Sequence, residues 1–440
     1  MSDKKQEVLD ALRAVIDPDL GRDIVSLGFI KNLEIKGGAV SFTVELTTPA
    51  CPVKATFKKQ CETAVGALGF VESVSVEMSA RKQAAPKQEA SPGLARVSRI
   101  IAVSSCKGGV GKSTTAVNLT FALSKAGAKV GLLDADIYGP SLPTLVHTAE
   151  TGLYRSGDLI APIELDGVKL MSFGYAVDPS KAAVMRGPMV SGIIGQLAGE
   201  TDWGVLDYLV VDMPPGTGDI QLTLTQKLPF NGAVIVTTPQ KLSFVDVIKG
   251  MQMFETVKVP TLAVVENMSY FQCPGCKEKH FPFGKGAMAR IVEQYGIDTA
   301  LEIPMVADLS DSSDRGMPLV ISEPDSDISK LYTDLAAAVV REVSRLENGA
   351  VLAPEVVFEK GRGIVVRDPS GVERIIDPAD LRRRCRCASC VDEHTGAQIL
   401  KPEDVSDDVV PLSIEKMGNY AVAVQWSDGH NSSIYPYDRL

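Results

Sequence analysis

The spacing of hydrophobic and polar positions changes several times along the chain, and each change marks an element. Apolar residues recur at helical spacing over residues 7–16, alternate over 40–46, return to helical spacing over 53–68 and alternate again over 71–76. That pattern predicts a small α+β domain over residues 1–80. Residues 81–97 carry few large apolar side chains and read as a linker. From 98 to 348, β-branched runs at 99–105, 129–134, 208–212, 233–240 and 260–267 alternate with helical stretches. This is the signature of a mostly parallel sheet covered on both faces, closed by a helix over 328–346. The last stretch, 349–440, breaks into short alternating segments at 363–367, 372–376, 420–426 and 433–435, separated by Gly, Asp and Pro. It reads as a small β-rich domain.

The strand at 99–105 runs straight into Cys106-Lys107-Gly108-Gly109-Val110-Gly111-Lys112-Ser113-Thr114, after which helical spacing takes over. Glycines leave backbone N–H groups free to wrap a phosphate chain, and a helix N-terminus favours anions. Lys112 is placed to reach the β- and γ-phosphates of ATP, and the Ser113 hydroxyl to ligate Mg2+. The expected fold class is therefore α/β, a P-loop NTPase with a small α+β domain before it and a small β-rich domain after it.

Two further strands end in acids. Asp134-Ala-Asp136 closes one and Asp212-Met-Pro-Pro-Gly216 another, at the carboxyl edge where such sheets bind ligands. Asp134 is expected to orient the attacking water, while Asp136 and Asp212 support the metal, which needs only one or two carboxylates. One of the Asp134/Asp136 pair could instead cap its loop. The Gly216 N–H is placed to sense the γ-phosphate. Asn267, at the end of a later strand, offers a donor and an acceptor to an adenine edge, or serves a turn. Pro304 and residues 311–318 read as a loop beside the base.

Five of the eight cysteines fall in two clusters, which in a large chain read as metal ligands more readily than as disulfides. Cys273-Pro-Gly-Cys276 supplies two thiolates, too few for a tetrahedral site. A second copy of the chain would complete four, the usual complement of a [4Fe–4S] cluster. A zinc knuckle with His280 and a redox pair are the rival readings. Cys385, Cys387 and Cys390, with His430 forty residues beyond the last of them, make a closed Cys3His set suited to Zn2+, with an iron–sulfur site or a reduced cluster as alternatives. Cys51, just before a predicted helix, is either a reactive thiol or a plain small residue. His147 and His394 have no evident partner in the sequence.

With Cys106 replacing the first glycine and Lys107 added, the loop resembles the deviant phosphate loop of the MinD/ParA/nitrogenase-iron-protein class. There the added lysine reaches the nucleotide of a partner subunit, which implies that role for Lys107. Lys-Gly-Gly-Val-Gly-Lys-Ser, Asp-Ala-Asp-Ile-Tyr-Gly-Pro-Ser, Met-Arg-Gly-Pro-Met at 185–189, Asp-Met-Pro-Pro-Gly-Thr-Gly-Asp and Glu-Asn-Met-Ser before Cys-x-x-Cys together resemble the Mrp/ApbC-type iron–sulfur cluster carrier ATPases. Residues 1–80 are similar to the SufT-like domain of iron–sulfur assembly proteins, through Asp17-Pro, Asp23-Ile-Val and Thr-Pro-Ala-Cys51-Pro. The tail resembles the N-terminal domain of γ-butyrobetaine hydroxylase, a zinc binder. The three-domain arrangement is similar to plastid-type members of the carrier family. The resemblance implies a homodimer that holds a labile [4Fe–4S] cluster and passes it to apo-proteins. The rivals are a MinD/ParA-type positioning or partitioning ATPase and a zinc-binding adaptor with structural nucleotide.

Charge and targeting signals narrow the field further. A net charge of −10 argues against nonspecific nucleic-acid binding by the molecule as a whole. No apolar run is long enough to span a bilayer, so no stable membrane association is expected. The N-terminal stretch lacks a signal-peptide core and an Arg/Ser-rich transit character. The expected compartment is the cytoplasm, or the plastid stroma if a transit peptide has been removed.

Overall fold

The structure is a computed structural model that describes residues 2–440 except 18–21, 47–49, 51–53, 81–90, 150–151, 177–186, 217, 286–287, 289–291, 293–296, 298, 348–353, 369–370, 388, 392–396, 418–420 and 432. Its centre is a nine-stranded sheet. Seven strands run parallel, in the order Val168–Ser172, Val130–Asp134, Tyr208–Asp212, Ile100–Ser104, Gly232–Thr237, Thr261–Gln272 and Ala300–Met305. Antiparallel Ile163–Leu165 closes one edge, and Lys279–His280 forms a hairpin with the far end of Thr261–Gln272. The strands 100–104, 130–134, 208–212 and 232–237 are buried at every residue, which is why they read as continuous apolar runs.

One core cluster gathers helix Lys112–Lys125 and the long closing helix Asp327–Glu347 on one face of the sheet, and a second lies on the other face. Strand Ile100–Ser104 lies next to Tyr208–Asp212 on one side and Gly232–Thr237 on the other. The phosphate-loop sequence thus leaves a strand at the centre of the sheet, where open α/β sheets bind their ligands.

The small domains have cores of their own. Residues 8–78 pack helices Ser2–Leu12 and Lys54–Gly66 against a three-stranded sheet in which Ala39–Leu46 is central. At the other end, two three-stranded antiparallel sheets share a core with Cys385, Cys387 and Cys390.

Several expected elements differ from those observed. The first helix stops at Leu12, and Ile16–Asp17 pairs instead with Arg22–Asp23, a pairing that Ile24 extends by donating to the Val15 carbonyl. Strands Ile30–Lys36, Glu355–Glu359 and Pro411–Met417 were not expected; each lies at an edge of its sheet, where burial is partial and the apolar pattern weak. The end of the expected linker is folded. Leu94 and Val97 are buried in the core, and Gly93 donates to the Gly199 carbonyl so closely that a Cβ would meet Thr201 O at 2.3 Å. The expected loop beside the base is instead strand Ala300–Met305 and helix Ala307–Asp314.

Glu255, on helix Lys241–Thr256, is half-buried, and its Oε1 lacks a partner among the described residues. Burial pushes its carboxyl up to about 7 from 4.5. Between those values the folded protein holds a proton that the unfolded chain releases, so stability falls as pH rises through that window. Glu255→Gln is expected to match wild type near pH 4 and to exceed it by about 1–2 kcal/mol at pH 8, screening included. Denaturant unfolding at the two pH values reads this, and an equal offset at both would refute it.

Candidate functional site: a phosphate loop beside an exposed dithiol hairpin

The loop after Ile100–Ser104 turns at Gly109 and Gly111, both in the left-handed region at φ 76° and 85°. A Cβ on Gly111 would meet Asn267 Nδ2 at 2.1 Å, so the position requires glycine. Asn267, 5% exposed, donates from Nδ2 to the Val110 carbonyl at 2.9 Å and pins the loop to the next strand but one. Within the loop, Ser105 Oγ donates to the Lys107 carbonyl at 2.8 Å. Gly108 and Gly109 are exposed, and Ser113 and Thr114 are half-buried at the start of helix Lys112–Lys125. The helix offers its N-terminus to an anion, as the sequence implies.

Lys112 is buried and ion-paired with Asp212, and its Nζ also lies 3.3 Å from Ser113 Oγ. The parallel register sets Asp212 directly beside Asp134 on the neighbouring strand. The two acids at 134 and 136 are held differently. The Asp134 carboxylate is 2% exposed and accepts from the N–H groups of Asp136, Ser141 and Leu142 and from Ser172 Oγ at 3.0–3.1 Å. Burial and the Asp212 charge hold its carboxyl well above the ordinary range. Asp136 stays partly exposed and accepts from the Gly139 N–H at 3.2 Å; burial raises it as well. The Gly216 N–H donates to the Ser105 carbonyl at 2.9 Å, so in this state it closes the loop rather than facing outward.

A cavity of about 480 Å3 opens beside Gly111 and Thr114, walled by Asn267, Phe271, Pro304 and Val306. Asn267 and Pro304 thus stand together next to the loop, and strand 300–305 with helix 307–314 supplies the far wall.

The same strand that carries Asn267 continues outward to Gln272 and turns at Cys273-Pro-Gly-Cys276. The turn is held by Lys277 N donating to the Cys273 carbonyl at 2.8 Å and Cys273 N donating to the Glu278 carbonyl at 2.9 Å. Lys277 takes a left-handed φ of 62° to return the chain. Cys276 is exposed and Cys273 half-exposed. Backbone N–H groups of Cys276 and Gly275 point at the Cys273 sulfur and hold its pKa below the usual thiol range. The ligand atoms of Cys276, Glu278 and His280 all lie within 4.8 Å of one another on the exposed hairpin.

In the last domain, Cys385, Cys387, Cys390 and His430 converge, with their ligand atoms within 4.8 Å of one another. His430 Nε2 is 3.4, 3.3 and 3.8 Å from the three sulfurs. Ligands of a tetrahedral zinc ion with bonds of ~2.3 Å to sulfur and ~2.0 Å to nitrogen sit ~3.5–3.8 Å apart, so the donor set fits that ion. Two supports were not singled out in the sequence. Ser433 Oγ donates to Cys385 Sγ at 3.2 Å, and Arg382, buried beside Asp428, donates to Cys390 Sγ at 3.5 Å. Donors to thiolates are a usual outer layer of such sites. Arg382 stands in the arginine run just before Cys385, and that adjacency to the cysteines was the available signal.

Cys51, His394, Met185 and Arg186 lie outside the described residues. His147 is structural: its N–H donates to the Gly316 carbonyl at 2.8 Å, and its ring fills the space a Cβ on Gly316 would need.

A glycine loop on the central strand, acids on the neighbouring strand ends and a cavity beside the loop define a nucleotide-binding P-loop NTPase. Comparison with known proteins narrows that class. The profile of the NUBPL iron-transfer P-loop NTPase family matches residues 96–340, that of the iron–sulfur cluster assembly proteins residues 5–78, and that of the γ-butyrobetaine hydroxylase-like N-terminal domain residues 357–440. The chain is 49% identical to the chloroplastic Fe-S cluster assembly factor HCF101 of rice, with all of this chain and 83% of that protein covered. It is 50% identical to the protein of the same name from Arabidopsis thaliana, over 99% of this chain and 82% of that one. An iron–sulfur cluster carrier protein from Synechocystis is 44% identical over 77% of this chain and 97% of its own length. The chain belongs to the iron-transfer P-loop NTPase family of iron–sulfur cluster carriers and assembly factors. Among the described residues no helix is long and apolar enough to cross a membrane.

Proposed function

We propose that this protein is an ATP-dependent scaffold and carrier that binds a [4Fe–4S] cluster between two copies of the chain and delivers it to apo-proteins. The observation that carries this reading is that one strand, bulged between Asn267 and Phe271, leads from the phosphate loop to the dithiol turn. Thr261–Gln272 holds the phosphate loop through Asn267 and, six residues on, presents Cys273 at the surface. Anything that shifts the loop is mechanically linked to the dithiol turn. Two thiolates per chain leave a four-iron cluster half-ligated, and a second copy supplies the rest.

In the nucleotide-bound state Lys112 leaves Asp212 for the phosphates, and Lys107 reaches the nucleotide of the facing copy. Ser113, Asp136 and Asp212, a hydroxyl and two carboxylates, are the donor set for Mg2+, which supplies charge neutralisation at the phosphates. The fourfold hydrogen bonding of Asp134 favours a role holding the 134–142 loop, with the partly exposed Asp136 free to meet metal or water. Gly216, now bonded to Ser105, can trade that bond for a γ-phosphate and so register nucleotide state. Hydrolysis then acts as a switch on the dimer rather than as metabolic chemistry. Zn2+ in the Cys385/Cys387/Cys390/His430 site supplies cross-linking of the last domain. We place the protein in the cytoplasm or plastid stroma, and Cys51 as a thiol on the cluster's route.

Anaerobic reconstitution tests the reading. Wild type is expected to take up close to one [4Fe–4S] cluster per dimer and to lose it to an apo-ferredoxin, while Cys273→Ala/Cys276→Ala takes up less than a tenth of that iron and still hydrolyses ATP. Unchanged iron and sulfide in the double variant would end the proposal. A second reading, a mononuclear ion within one chain, is favoured by the Cys276/Glu278/His280 grouping. His280→Ala separates the two: it removes a ligand from the mononuclear site and leaves a four-thiolate cluster intact.

A further inference from the structure

The last domain contains a feature that the carrier reading does not use. A cavity of about 920 Å3 is rimmed by Arg374, Arg383, Arg384, Arg386 and Arg439, with no acidic side chain among its lining residues. Its floor is apolar, built from Ile376, Leu381, Ile434, Pro436 and Leu440. Five guanidinium groups line one opening in a chain of net charge −10. The rim is unevenly neutralised. Arg383 is tied to Asp380 and Asp407 on its outer side. Arg374, exposed on strand Glu373–Ile376, makes no ion pair among the described residues. The volume lies at the upper end of the ~300–1,000 Å3 range of small-ligand pockets and far exceeds the needs of a single inorganic anion.

Two of the five rim arginines, Arg384 and Arg386, flank the first cysteines of the Cys385/Cys387/Cys390 loop. Along Arg384-Cys385-Arg386-Cys387 the exposure alternates, with both cysteines buried toward His430 and both arginines outside. Gln398, also lining the cavity, donates to the Cys385 carbonyl at 3.2 Å, and the cavity wall at Tyr435 adjoins Ser433, which donates to the Cys385 sulfur. Whatever fixes the four ligands therefore fixes the spacing of Arg384 and Arg386.

We propose that this pocket docks an acidic segment of a partner protein, one in which carboxylates alternate with apolar side chains, so that the former meet the arginine rim and the latter the floor. The rim suits carboxylates because a planar guanidinium takes them in paired hydrogen bonds. The naming of the partner as a cluster-receiving apo-protein rests on the carrier reading; the pocket's chemistry does not.

The test uses the full chain and a fluorescein-labelled octapeptide of alternating Glu and Leu, with a Lys/Leu peptide as control, read by fluorescence anisotropy. The Glu/Leu peptide is expected to bind and the Lys/Leu peptide not to. Raising salt from about 50 to 200 mM weakens binding several-fold. Arg374→Glu is expected to weaken it at least about tenfold and Arg374→Glu/Arg386→Glu to remove it, with ATP turnover and the thermal transition of the last domain unchanged. If the Cys385/Cys387/Cys390/His430 set holds a metal, a strong chelator is expected to abolish binding as well. Equal binding of both peptides, retention of affinity by the double variant, or displacement by sub-millimolar inorganic phosphate would overturn the proposal. The assay involves no cluster, so a failed carrier reading leaves its result standing, and a failed peptide result leaves cluster uptake by Cys273 and Cys276 untouched.

Discussion

Lys112→Ala is expected to lower ATP hydrolysis by at least about 100-fold, the scale of losing one preorganised donor to developing charge, and to abolish nucleotide-dependent association of two chains. The physical reason lies in the pair it forms. Lys112 and Asp212 are 7% and 4% exposed at their side chains, so the lysine already sits in a low-dielectric site and needs only to rotate from carboxylate to phosphate. Truncating it also strands Asp212 as a buried charge, which costs about 3–5 kcal/mol if nothing relaxes. Lys112→Ala/Asp212→Asn should recover that stability without recovering turnover. A steady-state ATPase assay beside a thermal melt checks both parts. Turnover within tenfold of wild type in a folded Lys112→Ala protein would remove Lys112 from the catalytic set. Lys107→Ala is the informative partner: it should bind nucleotide as wild type does and lose turnover only where hydrolysis depends on the dimer.

Loss of metal from the last domain should have the second large effect. Structural zinc contributes an apparent ~10–16 kcal/mol of folding free energy at neutral pH, more than a domain of this size supplies from its core alone. Three of the side chains in that core are the cysteines of the proposed metal site. His430→Ala, or a strong chelator, is therefore expected to release about one equivalent of metal per chain and to open residues beyond 355 to protease. ATP turnover should stay within about twofold, because the phosphate loop and its acids are held by the central sheet, whose clusters hold none of the four proposed ligands. Metal analysis and limited proteolysis read the two outcomes. A protease-resistant His430→Ala protein without metal would show that the apolar core suffices.

The sequence disclosed most where chemistry and local geometry coincide. The phosphate loop is contiguous, so its glycines and lysines can be assigned one by one, and Cys385, Cys387, Cys390 and His430 are drawn together as their types imply. It disclosed least where a residue's role depends on what faces it. Asp134 and Asp136 look alike in the sequence, yet one is enclosed by four donors and the other remains accessible. Asn267 seemed free to meet a base or serve a turn, and the fold gives its amide to Val110. Edge strands such as Ile30–Lys36 and Pro411–Met417 escaped because half-exposed strands need no strict alternation.

Periodicity and motif spacing alone determined a parallel sheet carrying a phosphate loop, a dithiol turn too poor in ligands to hold a cluster by itself, and a tail with three thiols and an imidazole of metal-ligating type. These follow from local rules, since backbone period and ligand count are properties of short segments. The tertiary structure decided that Asn267 holds the Val110 carbonyl, that Lys112 rests on Asp212, and that arginines 374 to 439 close around one pocket. Those relations join residues far apart in the chain, and only the packing of strands and sheets brings such residues within reach of one another.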